Sequence, residues 1–452
     1  MYRWLAGTAI FVALCAPAVA HAQPPVRHVF VIVLENKGYD ETWGPSSKAP
    51  YLSKTLTSMG ALIPGYYGIG HLSLGNYIAM VSGQAPNPQT QSDCQLFTEF
   101  LPGVPAPSDG QFIGSGCVYP AAVKTVANQL DAKGLSWKGY MEDMKTPCRR
   151  PASGTHDTTQ EAKVGDQYAA RHNPFVYFHS IIDRPACAKN DVDFSQLSSD
   201  IASPATTASY SFITPNLCND AHDDPCVDNR PGGLVSADAW LKQVVPEILS
   251  SPGYQDNGML VITFDEAENG DASACCNEQP GYNTPNPGGP TPGKGGGKTG
   301  TVVISQFTKP GTVSKFEYNH YSFLRSVEDL FGLAHLGYAG QPGLRPFGDD
   351  IYNATVAPAG GTPGARKLRA RQLRLKAAPR RLEAGRINTL RVRTDAAATV
   401  TVGGACKRSS RRTRAHATKR WRIRAPKAGR SCTVTASRRG WSAANRTLRS
   451  RR

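Results

Sequence analysis

The chain has 452 residues, 40% hydrophobic and 19% charged, with a formal net charge of +16 and 11 cysteines. The charge is not uniform: residues 361–452 hold 28 Lys and Arg against only Glu383 and Asp395, a balance of +26, so the first 360 residues carry −10. That break excludes a uniformly basic chain and marks a domain boundary, and no run beyond the N-terminus approaches the 18 or so apolar residues a membrane span requires.

Arg3 followed by the apolar residues 4–15, with small residues at Ala18, Ala20 and Ala22, reads as a secretory signal peptide over residues 1–22. The mature protein is therefore expected to be exported, either secreted or periplasmic, with no transmembrane segment. Next comes HVFVIVL at residues 28–34, followed directly by Glu35 and Asn36. Continuous apolar runs of about seven residues suit buried strands of a parallel sheet, and in open α/β sheets ligands bind beyond the carboxyl ends of such strands.

In GHLSLGNY at residues 70–77, Leu74, Tyr77, Ile78 and Val81 define one face of a helix with Ser73 as its N-cap. A hydroxyl there faces free backbone amides and the positive end of the helix dipole, which favours a forming alkoxide or a bound phosphate. Serine is also simply a common cap. Val123, Val126, Ala127 and Leu130 follow a helical period that stops at Gly134, and His172 sits in RHNP at residues 171–174. A strand at residues 209–213 leads into NLCNDAHD at 216–223, where Asp220 and His222 are metal-binding or proton-transfer candidates.

A helix after Ser236 places Leu241, Val244, Val245 and Ile248 on one face, and Pro246 is expected to kink or shorten it. GMLVITF at residues 258–264 then repeats the opening pattern, running straight into Asp265 and Glu266. Hard oxygen ligands converging from two strands suit a divalent cation held against an anionic substrate, the signature of a metal-assisted hydrolase. The plainer alternative is solvated loop acids or helix caps.

Residues 269–300 read as a long Gly/Pro/Asn loop over the active-site face. Its GGGKT at 295–299 resembles the end of a P-loop, but Pro292 stands where a Gly is required and a strand follows, at 301–305, where a helix is needed. His320 precedes a helix carrying Phe323, Val327, Leu330 and Phe331 that ends at Gly332. Helices alternating with strands give an α/β fold with an α/β/α layered sheet, and roughly 330 residues are enough for one large core.

The tail differs. Residues 357–378 form a basic linker opening on APAGGTPGA. From 379 to 452 the apolar positions Leu390, Val392, Ala398, Val400, Val402, Trp421, Ile423, Cys432, Val434 and Ala436 alternate with Arg, Thr or Ser, the period of half-buried strands. A small β-sandwich of immunoglobulin-like type, stapled by Cys406 and Cys432, fits that pattern, and disorder is the rival reading. Such a basic domain is expected to hold the protein near an anionic surface or polymer, with no specific nucleic acid, unless its charge is simply solvated. Excluding Cys15, ten cysteines remain, an even number suited to disulfides in an exported protein. The eight from Cys94 to Cys276 have no pairing readable from sequence, although adjacent Cys275 and Cys276 are expected to reach different partners. Zinc ligation lacks the C-x-x-C spacing of a structural site.

The order HVFVIVLEN, HLSLGNY, WKGYMEDM, RHNPFVYF, PNLCNDAHD, ITFDEAEN and NHYSFLRSVEDLFGL resembles the secreted bacterial phosphoesterase family over about residues 27–352. That family includes acid phosphatases and non-specific phospholipases C and belongs to the alkaline phosphatase superfamily. NDAHD and RHNP look closer to the acid phosphatase branch, which includes a phosphatidylinositol 3-phosphate phosphatase. The resemblance implies a divalent cation of unnamed identity, with Glu35, Asn36, Asp265 and Glu266 as ligands and Ser73 as a nucleophile that also touches it. His172 and His222 are implied as further catalytic groups, and His71, Asn76, Asp220 and His320 as candidates for phosphate or a second metal. Relatives often carry Pro where this chain has Gly75, which implies a looser turn around Ser73. Residues 73–77 also lack the Pro and Arg of the sulfatase motif.

These features lead to a secreted, metal-dependent phosphomonoesterase acting on phosphate esters. A phospholipase C-type phosphodiesterase is the nearest rival, and a non-catalytic surface-binding protein is the rival from a different class.

Overall fold

The computed structural model describes residues 23–354, apart from 107 and 269, and most of residues 375–451. The signal-peptide reading at 1–22 and the linker as far as 374 lie outside the described residues.

The two apolar heptapeptides form neighbouring strands, His28–Leu34 and Gly258–Phe264, paired in parallel along all seven residues and buried throughout. Tyr210–Thr214 flanks His28–Leu34 on its other side, also in parallel. The eight-stranded sheet runs in the order Thr312–Val313, Ala61–Ile63, Thr301–Ser305, Gly258–Phe264, His28–Leu34, Tyr210–Thr214, Trp137–Met141 and Asp191–Asp193. It is not purely parallel, because Thr301–Ser305 lies antiparallel to both of its neighbours. The loop that follows, described over residues 270–300, causes this: it brings the chain back at the carboxyl end of Gly258–Phe264, so the next strand runs the other way.

Successive strand residues point to opposite faces, and both faces are apolar here. Val29, Val31, Val33 and Val261 join one core with Leu74, Tyr77, Leu130 and Phe323, whereas Phe30, Ile32, Leu260 and Ile262 join another with Leu241, Val245 and Ile248. Burying each large aliphatic side chain is favourable by roughly 1.5–3 kcal/mol, which commits these runs to the centre of the sheet. Helices Ser73–Ser82, Val126–Ala132 and His320–Phe331 cover one face and Gly233–Leu249 the other, giving the expected α/β/α layers.

Several local expectations change. Gly233–Leu249 starts before Ser236 and continues past Pro246. Pro246 is exposed, so the carbonyl that loses its intrahelical donor faces water and its cost is reduced. Val123 precedes its helix, which begins after a Thr125–Asn128 capping box.

Cys275 and Cys276 bond to each other instead of to different partners. Their Cα atoms are 3.7 Å apart, and rotation of the side chains lets adjacent residues close the bridge without a second chain segment. The other bridges are Cys94–Cys117, Cys148–Cys187, Cys218–Cys226 and the expected Cys406–Cys432.

In the tail, described strands form a three-stranded and a five-stranded sheet. The first strand, Leu375–Ala378, starts inside the segment expected to be linker. Leu390, Val392, Val400, Val402, Ile423, Cys432 and Val434 share one buried cluster.

Candidate active site

The register that pairs Leu34 with Phe264 brings Glu35 and Asp265 out of the sheet side by side. Backbone bonds tie the loops together there: Asp265 N–H donates to Leu34 O at 2.9 Å, and Glu35 N–H donates to Asp220 O at 2.8 Å. Three strand ends thus place three carboxylates in one buried space.

Ser73 reaches that space from the start of its helix. Its Oγ donates to Glu35 Oε2 at 2.8 Å. Tyr77, four residues on and therefore on the same helix face, donates its hydroxyl to Glu35 Oε1 and stacks on the His172 ring at 5.3 Å and 6°. His172 stands between two acids, with Nε2 3.3 Å from Glu35 Oε2 and Nδ1 3.3 Å from Asp220 Oδ2. Potential ligand atoms of Glu35, His172 and Asp220 all lie within 4.8 Å of one another.

A second group adjoins the first. The Asn36 backbone N–H donates to Asp265 Oδ1 at 3.1 Å. One end of the Asn36 side-chain amide lies 3.0 Å from Glu266 Oε1 and 3.3 Å from Asp265 Oδ1. With nitrogen inward it donates to both carboxylates; with oxygen inward it completes a three-oxygen cluster that a cation would satisfy. Glu266 Oε2 lies 2.8 Å from His71 Nδ1, while His71 Nε2 donates to Asp271 O at 2.9 Å.

Burial dominates the electrostatics. It pushes Glu35, Asp220 and Glu266 well above the usual carboxylate range and Asp265 up to about 7, with charge repulsion among the acids adding to the effect at Glu35, Asp220 and Glu266. Burial also holds His172 well below its ordinary value, assisted by the Arg171 charge. Asp220 Oδ2, Asp265 Oδ2 and both His172 ring nitrogens are buried without a hydrogen-bond partner. Buried acceptors in that state are costly, and clustered hard oxygens such as those of Glu35, Asn36, Asp265 and Glu266 are the donor set a divalent cation takes. The residues present therefore fit a metal.

Ser73 is not the N-cap. Leu72 is, at φ 73°, and Ser73 is the first helical residue. Nor are the amides at this helix start all free, since Leu74 N–H donates to Asp93 Oδ1 at 2.9 Å. Asp93 in turn lies 3.8 Å from the Nε of buried Arg171, and Arg171 Nη2 lies 3.3 Å from His222 Nε2. His222 stands at the rim, its ring 6.0 Å from that of His172 and its Nδ1 2.8 Å from Asp223 Oδ1.

Two candidates point elsewhere. Asn76 Oδ1 accepts from Ile69 N–H at 2.7 Å and Gly70 N–H at 3.1 Å, holding the turn before Ser73. His320 uses Nε2 on the Asp265 backbone carbonyl and Nδ1 on the Tyr66 hydroxyl at 3.1 Å, so it braces the chain just beyond the end of strand Gly258–Phe264. The turn around Ser73 is packed, not loose: a Cβ on Gly75 would come within 3.0 Å of Pro86 Cγ. Gly68 allows a close approach as well, because a Cβ there would lie 2.7 Å from Asp265 O. The loop over residues 270–300 lies over this turn, with Pro287 O accepting from His71 N–H at 2.8 Å and Gly296 paired with Gly68.

Tyr77, Arg171 and Asp93 were not singled out from sequence. Tyr77 was legible in principle, because it lies one helical turn from Ser73. Arg171 adjoins His172, but nothing local directs a guanidinium inward. Asp93 carries no signal at all.

A family model described as the Phosphoesterase family matches residues 46–334. The chain belongs to this family. Similar proteins include a probable acid phosphatase of Kluyveromyces lactis, 27% identical over 314 residues covering 69% of this chain and 59% of that protein. A phosphatidylinositol-3-phosphatase of Mycobacterium tuberculosis is 26% identical over 320 residues, 71% of this chain and 82% of that protein. The chain spans about three fifths of the length of the acid phosphatases from Kluyveromyces, Aspergillus fumigatus and Penicillium that it matches. Among solved structures, a protein in the alkaline phosphatase superfamily from Vibrio parahaemolyticus superposes with a TM-score of 0.43 at 10% identity, over 93% of this chain and 82% of that one, a likeness too slight to argue from.

Proposed function

We propose that this member of the Phosphoesterase family is an exported, metal-dependent phosphomonoesterase of acid phosphatase type, with an alkaline phosphatase-like catalytic domain and Ser73 as its nucleophile. The observation that carries this reading is the Ser73 hydroxyl donating to Glu35 at 2.8 Å within a buried set of acids. A nucleophile and its proton acceptor within hydrogen-bond reach are the first geometric requirement of covalent catalysis.

A divalent cation held by Glu35, Asn36, Asp265 and Glu266, with Ser73 beside it, would offset charge on the phosphoryl oxygens and favour the serine alkoxide. The chain's own groups do the rest. Glu35 accepts the Ser73 proton as Oγ bonds to phosphorus and the ester oxygen leaves. His172, kept neutral by burial, relays a proton between Glu35 and Asp220. His222, partly exposed at the rim, supplies the proton to the departing oxygen, and Arg171 beside it favours an anionic substrate. Water, giving up a proton to His222, then cleaves the phosphoserine ester, and Ser73 recovers its proton from Glu35. Tyr77 holds Glu35 in place, and His71 packs beside Glu266.

Five disulfides support export, because such bonds persist in oxidising compartments. We also read the tail as an immunoglobulin-like sandwich that keeps the enzyme at anionic surfaces or polymers. The test of the catalytic reading is hydrolysis of p-nitrophenyl phosphate and of its phosphorylcholine ester, each with and without chelator, on protein of measured metal content. Chelator-sensitive cleavage of the monoester is expected. Preference for the phosphorylcholine ester would make the protein a diesterase, and full turnover by metal-free protein would remove the cation from the reaction.

A further inference from the structure

The charge of the tail is organised, not merely abundant. Ile387–Thr394 and Thr418–Arg424 are neighbouring antiparallel strands. Along the first, Leu390 and Val392 are buried while Ile387, Thr389, Arg391 and Arg393 are exposed; along the second, Ile423 is buried while Arg420, Arg422 and Arg424 are exposed. The register places Arg391 opposite Arg420, Thr389 opposite Arg422 and Ile387 opposite Arg424. Because residues directly across a ladder share a face, five arginines project from one side of a single sheet.

Side chains directly opposite have Cβ atoms about 5 Å apart, and like charges so placed repel. Along a strand, same-face residues recur about every 6.8 Å. Internal neutralisation is scarce: the only acids from 361 onward are Glu383 and Asp395, and Glu383 is paired with Arg386. A face that is costly to assemble in isolation is complementary to a dense array of negative charge. Ile387 adds an apolar group, 56% exposed, at the end of the same face. An isoleucine among arginines suits the boundary between headgroups and acyl chains better than a fully hydrated polymer.

We propose that this face, formed by Arg391, Arg393, Arg420, Arg422 and Arg424 with Ile387 at its end, docks the protein on an anionic lipid bilayer. The proposal rests on the reading of the tail as a surface-retention element and specifies its residues and its partner. It is independent of the catalytic reading, which hydrolysis of p-nitrophenyl phosphate by the same preparations tests separately.

The experiment compares the full chain with two variants of equal charge loss. One carries Arg→Gln at 391, 393, 420 and 422; the other carries Arg→Gln at 366, 369, 371 and 374. Co-sedimentation is measured at low salt with phosphatidylcholine vesicles containing or lacking 30 mol% phosphatidylglycerol, alongside retention on heparin, and circular dichroism checks that both variants are folded. The first variant is expected to lose tenfold or more in partitioning to the anionic vesicles, and the second less than threefold. Ile387→Ser, which keeps all the charge, is expected to weaken vesicle binding while leaving heparin retention unchanged. Equal losses in the two arginine variants would overturn the proposal in favour of diffuse net charge. Heparin retention that falls with the first variant while vesicle binding is intact would overturn it in favour of a polymer.

Discussion

The two halves of this protein handle charge in opposite ways. In the α/β domain, acids are drawn into the interior at the ends of strands and held by backbone bonds, a serine and a tyrosine. Their proximity is tolerated because the sheet around them buries enough apolar surface to impose it. In the tail, a small apolar cluster supports an arginine-covered sheet whose charges point to solvent. Charge within a large core can be tuned by desolvation and so can do chemistry, whereas charge on an exposed face is screened and serves attraction. Perturbing the first should therefore change rates, metal binding and pH dependence, and perturbing the second should change salt-sensitive adhesion.

The largest expected effect is from Ser73→Ala. Loss of a covalent nucleophile should lower kcat by several orders of magnitude, with melting temperature and metal content nearly unchanged. Steady-state kinetics retaining more than about a tenth of wild-type kcat would remove Ser73 from that role.

Asp265→Asn should lose both activity and cation, since a neutral amide holds a hard dication weakly. Metal analysis after dialysis reads this without reference to turnover. Chelation should lower the melting temperature of the wild type and leave that of the variant almost unmoved.

Away from the site, Asp191 tests how far burial alone governs the interior. Its carboxyl is pushed up to about 7 by burial and accepts from Asn173 Nδ2 at 2.9 Å. Between pH 4 and 7 the unfolded chain has released this proton and the folded chain retains it, so stability falls as pH rises. Complete passage through that window corresponds to about 4 kcal/mol at 1.36 kcal/mol per unit. Asp191→Asn should make the profile less steep, measured by denaturant unfolding across the window. An unchanged slope would show that another group carries the effect.

Tyr77→Phe removes one hydrogen bond to Glu35 and preserves the ring stacked on His172. A bond to a charged group contributes about 1.5–3 kcal/mol, so kcat should fall roughly tenfold to a hundredfold with KM little altered. A rise in KM alone would place Tyr77 in substrate binding instead.

The smallest catalytic effect should come from removing the tail. A chain ending at Ala354 keeps the Ala354 N–H bond to Phe307 O at 3.0 Å, so kcat on a small soluble ester should be nearly unchanged while retention on anionic vesicles at low salt is lost. Loss of soluble-substrate activity would show that the tail completes the catalytic domain.

What was legible in the sequence was whatever rests on short-range pattern. Runs of about seven mostly apolar residues favour burial, so both central strands and the acids immediately after them could be read directly. The alternation around Leu390 and Val400 likewise marked strands in the tail, and the isolation of Cys406 and Cys432 marked their pairing. Tertiary structure decided what depends on residues distant in the chain. It set the antiparallel return of Thr301–Ser305, the bond between Cys275 and Cys276, and the occupation of the Leu74 amide by Asp93. It also turned His320 onto the Asp265 carbonyl, a backbone atom 55 residues away in sequence. A strand's burial is a property of its own composition, but the direction of a polar side chain is decided by whichever partner the packed sheet brings within hydrogen-bond range, and one chain segment read alone does not contain that partner.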